Sequence, residues 1–332
     1  MSTDGSTTMT STRTTPRTAP HRGGLRRGLA ALALLGAGAT ALTACGSDDD
    51  TAATDTTTPA GSTSAAAPSD AATSEAPVES SPSPTETSSQ AEATTSTVPV
   101  YWVGTTPLGD RLYREFEQVT GDAAAGAVQA LLTGEPLDPD YRSPFTAGSG
   151  VASVTDDGGT ITVTLSDDAL AARPDGTSKA DAELAVQAVV HTVQGALQER
   201  LPVVVTDPSG GTSLLGVETG NGVSNRDQTT VQSLVNLTTP EEGATVTGGT
   251  LTLDGVASSF EATVPWTITD SEGKQVLEGY ATAEGWMDKL YPFTTDVDVS
   301  DLKAGTYTVL VASSGGEGVA APMTDTRTFT IG

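Results

Sequence analysis

The chain has 332 residues, of which only 4% are aromatic and 17% are charged, so it cannot bury a core along its whole length. Its formal net charge of -26 argues against a nucleic-acid partner, because phosphate binding requires clustered Lys and Arg. The same charge argues against flat docking on an anionic lipid surface, and its simplest consequence is solubility through self-repulsion.

Residues 1–44 have the pattern of an export signal peptide. A basic segment comes first, and an apolar run over residues 29–41 follows it. The basic residues are Arg13, Arg17, Arg22, Arg26 and Arg27. The apolar run is rich in Gly and Ala and shorter than the roughly 20 apolar residues that a membrane span requires. We therefore expect a cleaved signal peptide.

The segment Leu42-Thr43-Ala44-Cys45 resembles the bacterial lipobox. Cys45 is the only cysteine of the chain, so no intrachain disulfide can form. The resemblance implies cleavage before Cys45 and attachment of a diacylglyceryl group to its thiol. Acylation by more than one chain gives a stable anchor. The sequence thus predicts a lipoprotein on the extracytoplasmic face of a cell membrane; the alternative is an ordinary signal peptide with an accidental cysteine.

Residues 45–97 are predicted to form a disordered linker. The segment consists mainly of Ser, Thr, Ala, Pro, Asp and Glu and shows no hydrophobic period. It begins with Asp48-Asp49-Asp50, and the Ser-Pro repeats at 81–84 favour locally extended chain. Two roles stay open, a spacer that lifts the following domains into the wall layer and an O-glycosylated stalk.

Residues 98–224 are predicted to form an α+β domain in the order β-β-α-β-β-α-β, with the helices on one face. One helix follows Asp122 as its N-cap, and the other is capped by Ser178 and Asp181. The segment 111–119 alternates like a strand, although a helix is an alternative there. The predicted strands cover residues 98–103, 111–119, 151–155, 161–165 and 202–206.

The first domain resembles the GerMN domain, a module of sporulation and spore-germination proteins and of envelope lipoproteins. The segments that carry the resemblance are 100–103, 127–134, 154–158, 161–166 and 185–193. The chain departs from the family at Asp207-Pro208, where an Asp-Gly type of turn is usual. The resemblance implies the α+β fold and an envelope role, and it transfers no catalytic residue.

Residues 231–332 are predicted to form an all-β sandwich of immunoglobulin type. Strand-length runs recur between short turns, and Trp266 is the expected core aromatic. The runs cover residues 231–237, 251–253, 264–268, 275–277, 293–299, 306–311 and 326–331. Thr239-Pro240, Gly255-Val256-Ala257, the Phe260–Val264 segment and Asp270–Gly273 resemble the Gmad2 domain, an immunoglobulin-like module that often accompanies GerMN.

No residue set for catalysis, metal binding or a cofactor stands out. His191 is the only histidine after the predicted signal peptide, and it is expected to be a half-buried structural residue of the second helix. No G-x-S-x-G motif precedes it. The acidic pairs Asp156-Asp157 and Asp167-Asp168 lack the alternating spacing of a calcium loop, and turns and helix N-termini explain them better.

Trp286 and Tyr291 form a candidate binding loop at residues 285–291. Exposed aromatic residues suit sugar stacking or a protein hot spot, but they could equally close the end of the sandwich. We therefore expect a non-catalytic interaction or scaffold module of the envelope, linked to sporulation, germination or signalling, with an envelope protein as partner. A module that binds wall or surface glycan is the alternative, and a hydrolase with a carboxylate pair ranks third.

Overall fold

The structure is a computed structural model that describes residues 94–146, 148–315 and 321–332. The chain divides into two units, 1–83 and 84–332, and every described residue belongs to the second unit. The predicted signal peptide, the lipobox Leu42-Thr43-Ala44-Cys45 and the predicted linker up to residue 93 lie outside the described residues.

The first domain opens with a long antiparallel hairpin of β1 (Thr95–Thr106) and β2 (Gly109–Thr120). Thr95 lies opposite Thr120, and the pairing continues without a shift to the turn. The strand assignment of 111–119 is confirmed. Residues 95–97, which we assigned to the linker by composition, belong to β1 because residues 118–120 pair with them.

Two helices pack on this hairpin, α1 (Ala123–Thr133) and α2 (Lys179–Leu197), and their predicted caps are present. Asp122 Oδ1 accepts a hydrogen bond from the backbone N–H of Ala125 at 2.7 Å. Ser178 and Asp181 form a reciprocal capping box with both hydrogen bonds at 3.1 Å. These side chains satisfy N–H groups that the first turn of a helix leaves free.

A second sheet contains β4 (Val151–Asp156), β5 (Ile161–Leu165) and β6 (Val203–Thr206). The predicted hairpin joins β4 to β5, and α2 crosses over so that β6 runs parallel to β5. Four shorter elements were not predicted, because two to four residues show no period: β3 (Tyr141–Arg142), β7 (Ser213–Leu214), β8 (Val217–Glu218) and α3 (Gln228–Val231).

The second domain is the predicted β-sandwich, with sheet orders β10-β16-β15-β12-β13 and β14-β11-β9. One 3-10 turn, Phe260–Ala262, precedes β12. The strands are β9 (Val235–Thr239), β10 (Ala244–Val246), β11 (Thr250–Ala257), β12 (Thr263–Asp270), β13 (Gln275–Thr282), β14 (Tyr291–Asp298), β15 (Gly305–Ala312) and β16 (Thr324–Ile331).

The first predicted strand of this domain began too early. Val231 belongs to α3, because Asp227 caps a short helix there, and the strand starts at Val235. The sandwich core includes the fully buried Leu237, Leu253 and Phe329, and Trp266 packs against it as expected.

A buried charged cluster joins the two domains. Arg327 of β16 forms an ion pair with Asp138 of the first domain, and a second pair, at 3.4 Å, with Asp325. Arg327 also donates to the hydroxyl of Tyr141 at 3.0 Å and to the carbonyl of Leu237 at 2.9 Å. All three charged side chains are at most 3% exposed. Burial raises the pKa of Asp138 to about 7, although Arg327 opposes that shift.

Asp325 also joins separate segments of the chain at this interface between the two domains, which we call the domain seam. It accepts hydrogen bonds from the Tyr141 hydroxyl at 2.5 Å, from Asn236 Nδ2 at 3.1 Å and from the Leu237 backbone N–H at 2.6 Å. Because buried charges are tolerated only when they are paired and hydrogen-bonded, the cluster fixes one relative placement of the two domains.

Candidate functional site

The most prominent surface feature is an apolar patch to which both domains contribute. Seven large apolar side chains are exposed among the described residues, and four of them line one pocket of about 210 Å³. We call this surface the Trp286 patch, and the four side chains are Leu108, Phe260, Trp286 and Met287. Clustered exposed apolar side chains are unusual on a soluble protein and typically mark an interaction site.

Turns, rather than strands, carry these side chains. Leu108 lies in the β1–β2 turn, Phe260 in the 3-10 turn, and Trp286 and Met287 in the connection between β13 and β14. The rings of Phe260 and Trp286 meet edge to face, with their centroids 5.1 Å apart. This geometry is favourable for aromatic pairs and holds both rings in place.

The backbone around the patch adopts uncommon conformations. Met287 has φ 87°, and Glu261 and Ala262 have φ 54° and 59°. Positive φ is costly for residues other than glycine, so the surrounding contacts must enforce it. The backbone N–H of Met287 donates to Ser258 Oγ at 3.1 Å, and Ser259 Oγ lies 2.8 Å from Ser314 Oγ.

Methionine forms part of the pocket floor. Met323 is 2% exposed, and its Sδ accepts a hydrogen bond from the backbone N–H of Leu234 at 3.2 Å. A thioether adapts its shape to the group that contacts it. The wall is completed by small residues, which are Ser258, Ser259, Ser313, Ser314, Gly315, Ala321 and Pro322.

The residues next to the patch in the chain are mainly acidic. Within three residues of the four patch side chains, the acidic residues are Asp110, Glu261, Glu284 and Asp288, and the basic ones are Arg111 and Lys289. A binding partner would therefore meet an apolar centre with a predominantly negative border.

The structure separates the two aromatic residues of the predicted binding loop. Trp286 lines the pocket, whereas Tyr291 starts β14 and packs on the sandwich core. The Tyr291 hydroxyl donates to Asp288 Oδ1 at 2.8 Å, and Lys289 Nζ lies 4.7 Å from the ring centroid. Sequence reasoning missed Leu108, Phe260 and Met287, although apolar residues within turns were the available signal.

The other side chains considered from the sequence have structural partners. Asp157 Oδ1 accepts from the backbone N–H groups of Gly159 and Thr160 at 2.9 and 2.8 Å, so its hairpin role is confirmed. Asp167 Oδ1 accepts from Ser149 Oγ at 2.9 Å. Within the described ranges, no group of three or more His, Cys, Asp or Glu side chains could hold a metal ion.

His191 is more deeply buried than expected, at 4% exposure. Burial, together with a smaller effect of the nearby Arg200, lowers its pKa to about 4. In the part of the chain that the structure describes, no helix combines the length and the apolar character needed to cross a bilayer.

Both domains match models of known families. Residues 99–207 match the Germane family, described as sporulation and spore germination. Residues 234–318 match Gmad2, described as an immunoglobulin-like domain of bacterial spore germination. The two matches, one to each domain, support a spore-germination domain architecture, and neither description names an enzyme activity.

Solved structures give remote likenesses. The tandem GerMN domains of the sporulation protein GerM from Bacillus subtilis align at 16% identity and a TM-score of 0.32, covering 62% of this chain and 63% of that one. CopC from Methylosinus trichosporium OB3b aligns at 25% identity and a TM-score of 0.21, covering 29% of this chain and 92% of that one. No curated protein matches the chain.

Proposed function

We propose that this protein is a lipoprotein, held on the outer face of a bacterial cell membrane through Cys45, whose two domains form a non-catalytic interaction module. The Trp286 patch docks an apolar segment, flanked by basic residues, of another envelope protein. The germination-related domain architecture supports a role in sporulation, germination or envelope signalling.

The observation that carries this proposal is the concentration of exposed apolar side chains at one place. Four of the seven large ones on the described surface line a single pocket, and Leu108 comes from a different domain than Trp286. The buried Arg327 cluster holds the two domains together, so the two halves of the patch keep their relative positions. Preformed apolar surfaces bind at lower entropic cost than flexible ones.

The patch lies far from the point at which the described chain begins. The described chain starts at Thr94, next to the end of the hairpin where Thr95 pairs with Thr120. Leu108 lies at the opposite end of this hairpin, about 37 Å away for a strand of 12 residues.

Photo-crosslinking in living cells tests the docking proposal. A photoreactive residue replaces Met287 in the full-length chain, which carries a tag after Gly332. The matched control places the same residue at Tyr280, which is equally exposed, 68% against 69%, but does not line the pocket. We expect one dominant protein adduct from position 287 and none from position 280. Equal capture at both positions, or none at 287, would contradict docking at the patch.

A second variant tests the aromatic anchor. Trp286→Ala should abolish the adduct at position 287 while circular dichroism shows a folded protein, because Trp286 is 37% exposed and lies in a connection outside the strands. Capture of wall glycan instead of protein would favour the alternative function. Lys289 over the Tyr291 ring and Phe260 against Trp286 leave little open aromatic face for sugar stacking.

The anchor is tested independently of the patch. Metabolic labelling with a fatty acid should mark the parent chain but not a Cys45→Ser variant, and the variant should leave the membrane fraction. An unlabelled parent chain would refute the lipoprotein proposal without affecting the docking proposal.

A further inference from the structure

A second pocket, of about 400 Å³, lies in the first domain between α2, the β1–β2 hairpin and α3. It shares no lining residue with the Trp286 patch. We call it the α2 pocket, and its lining consists of Thr97, Pro99, Tyr101, Arg114, Phe116, His191, Gln194, Gly195, Ala196, Gln198, Arg200 and Gln228.

The charge of this lining is opposite to that of the whole chain. Arg114 and Arg200 contribute two positive charges, and no carboxylate lines the pocket, although the net charge of the chain is -26. The pockets at the domain seam, by contrast, include carboxylates such as Glu115 and Asp325. Neither Arg114 nor Arg200 forms an ion pair with a described residue. This local concentration of positive charge attracts an anion.

The inner part of the pocket contains buried polar atoms without a partner among the described residues. His191 and Gln194 are 4% and 5% exposed, and the atoms without a partner are His191 Nε2 and Gln194 Oε1. Such atoms cost free energy unless another group meets their hydrogen-bonding capacity. The Nε atom of Arg114 is also buried and has no hydrogen-bond partner among the described residues.

The hydrogen-bonding roles of these atoms follow from their neighbours. Gln232 Nε2, a donor, lies 3.3 Å from His191 Nδ1, which must therefore accept. The imidazole is neutral at physiological pH, because burial lowers the pKa of His191 to about 4, so its Nε2 carries the proton and donates. Gln194 Nε2 donates to the Leu201 carbonyl at 2.8 Å, which leaves Oε1 as a free acceptor.

We propose that the α2 pocket binds the free C-terminal end of a peptide. The guanidinium groups of Arg114, which lies 4.9 Å from the centroid of the Phe116 ring, and of Arg200 bind its carboxylate, with the His191 imidazole as an additional donor. The Gln194 side chain accepts the adjacent amide N–H. Pro99, Phe116 and Ala196 offer an apolar wall for a small side chain. A peptide end combines these three chemistries within a few ångströms, whereas an inorganic anion without a hydrogen-bond donor, such as sulfate, would leave Gln194 unsatisfied.

One effect opposes anion binding here. The pocket lies beside the C-terminal end of α2, which carries about half a unit of negative charge. Two arginine charges exceed this value, and the Gln194 carbonyl at that end already accepts from the backbone N–H groups of Gln198 and Glu199. The pocket therefore stays positive overall.

Calorimetric titration tests the proposal on the full chain carrying Cys45→Ser, which cannot be lipidated. The probes are N-acetyl-alanyl-alanine with a free carboxylate, the same peptide with a C-terminal amide, and glucuronate as a sugar acid. We expect the free acid to bind about tenfold to a hundredfold more tightly than the amide, since a charge-assisted hydrogen bond is lost. Glucuronate should bind more weakly than the free acid.

Variants separate binding from folding. Arg200→Gln should lower the affinity for the free acid by about tenfold or more without changing the melting temperature, because Arg200 is exposed. Arg173→Gln, another exposed arginine that does not line the pocket, is the matched control and should bind like the parent. The His191 imidazole proton should shift in NMR spectra on addition of the free acid.

Four results would overturn the proposal: equal affinity for acid and amide, tighter binding of glucuronate, an unchanged affinity in Arg200→Gln, or no binding at about 10 mM peptide. Because the two sites share no residue, such a failure would leave the docking proposal at the Trp286 patch intact.

Discussion

Replacement of Arg327 by methionine is the most demanding test of how the two domains are held together. Methionine keeps the length and much of the volume of the side chain but removes its charge and its donors. The carboxylates of Asp138 and Asp325 would stay buried with no positive charge to offset them. The carbonyl of Leu237, which now accepts from Arg327 at 2.9 Å, would lose that partner as well.

The expected cost is about 3–5 kcal/mol in the free energy of unfolding, the usual loss when one partner of a buried ion pair is removed. This is a large part of the total stability of a typical domain, about 5–15 kcal/mol. Urea unfolding at pH 8, followed by tryptophan fluorescence, measures the change. Trp102 reports on the first domain, and Trp266 and Trp286 report on the second.

An exposed ion pair provides the control. Arg226 lies 2.9 Å from Glu183, with side-chain exposures of 51% and 28%, so Arg226→Met should cost less than about 1 kcal/mol. If the loss in Arg327→Met arises from unpaired buried charge, adding Asp138→Asn should recover part of it. A cost for Arg327→Met no larger than that of Arg226→Met would refute the view that this cluster joins the domains.

Two further predictions concern Asp138 at the domain interface and Gly255 in the sandwich sheet. Burial raises the pKa of Asp138 to about 7, well above the value of about 4 in an unfolded chain. The folded state therefore binds more protons than the unfolded state, and the free energy of unfolding should fall as pH rises from about 4 to about 7. Chemical unfolding at pH 5 and pH 8 should show this decline in the parent and a smaller one in Asp138→Asn. Gly255→Ala should lower the free energy of unfolding by about 1–3 kcal/mol, because a Cβ atom there would lie 2.2 Å from the backbone oxygen of Asn236 in the neighbouring strand. A thermal melt measures this loss. An unchanged melting temperature would mean that the sheet relaxes freely at this point.

The elements that the sequence predicts well are those whose signals are local. Asp122 and the Ser178–Asp181 pair cap their helices within three residues, and the hairpin turn at 156–159 lies between its own two strands. In these cases the residues that make the contact are neighbours in the chain. Pattern reasoning can therefore find them without knowledge of the tertiary fold.

The domain seam was not predicted, because its contacts join distant parts of the chain. Asp138 and Arg327 are separated by 189 positions, and nothing in the local sequence of either residue indicates burial. The early start assigned to the first sandwich strand has a related cause. The apolar run 231–237 fits a strand by itself, and only the position of Asp227 as an N-cap shows that Val231 ends a helix.

Of the four exposed apolar side chains of the Trp286 patch, the sequence analysis named only Trp286. The others were missed because the patch, too, joins distant parts of the chain. An aromatic side chain in a turn marked Trp286, but its neighbour Leu108 belongs to a different domain, 178 positions earlier in the chain. Because Tyr291 is close to Trp286 in the sequence, it was assigned to the same binding loop. The alternation of strand β14 turns Tyr291 towards the sandwich core, which sequence spacing alone did not reveal.

The composite nature of the patch leads to a final prediction that separates the two proposed sites. Docking at the Trp286 patch requires both domains in their fixed arrangement, whereas all lining residues of the α2 pocket except Gln228 belong to the first domain. Arg327→Met should therefore weaken capture at position 287 in cells more than it weakens binding of the free-acid peptide to folded protein. The comparison is made at a temperature where circular dichroism shows that the variant is folded. Equal losses at both sites would indicate that the variant disturbs the first domain as a whole, and full retention of capture would show that the sandwich loops alone form the docking surface.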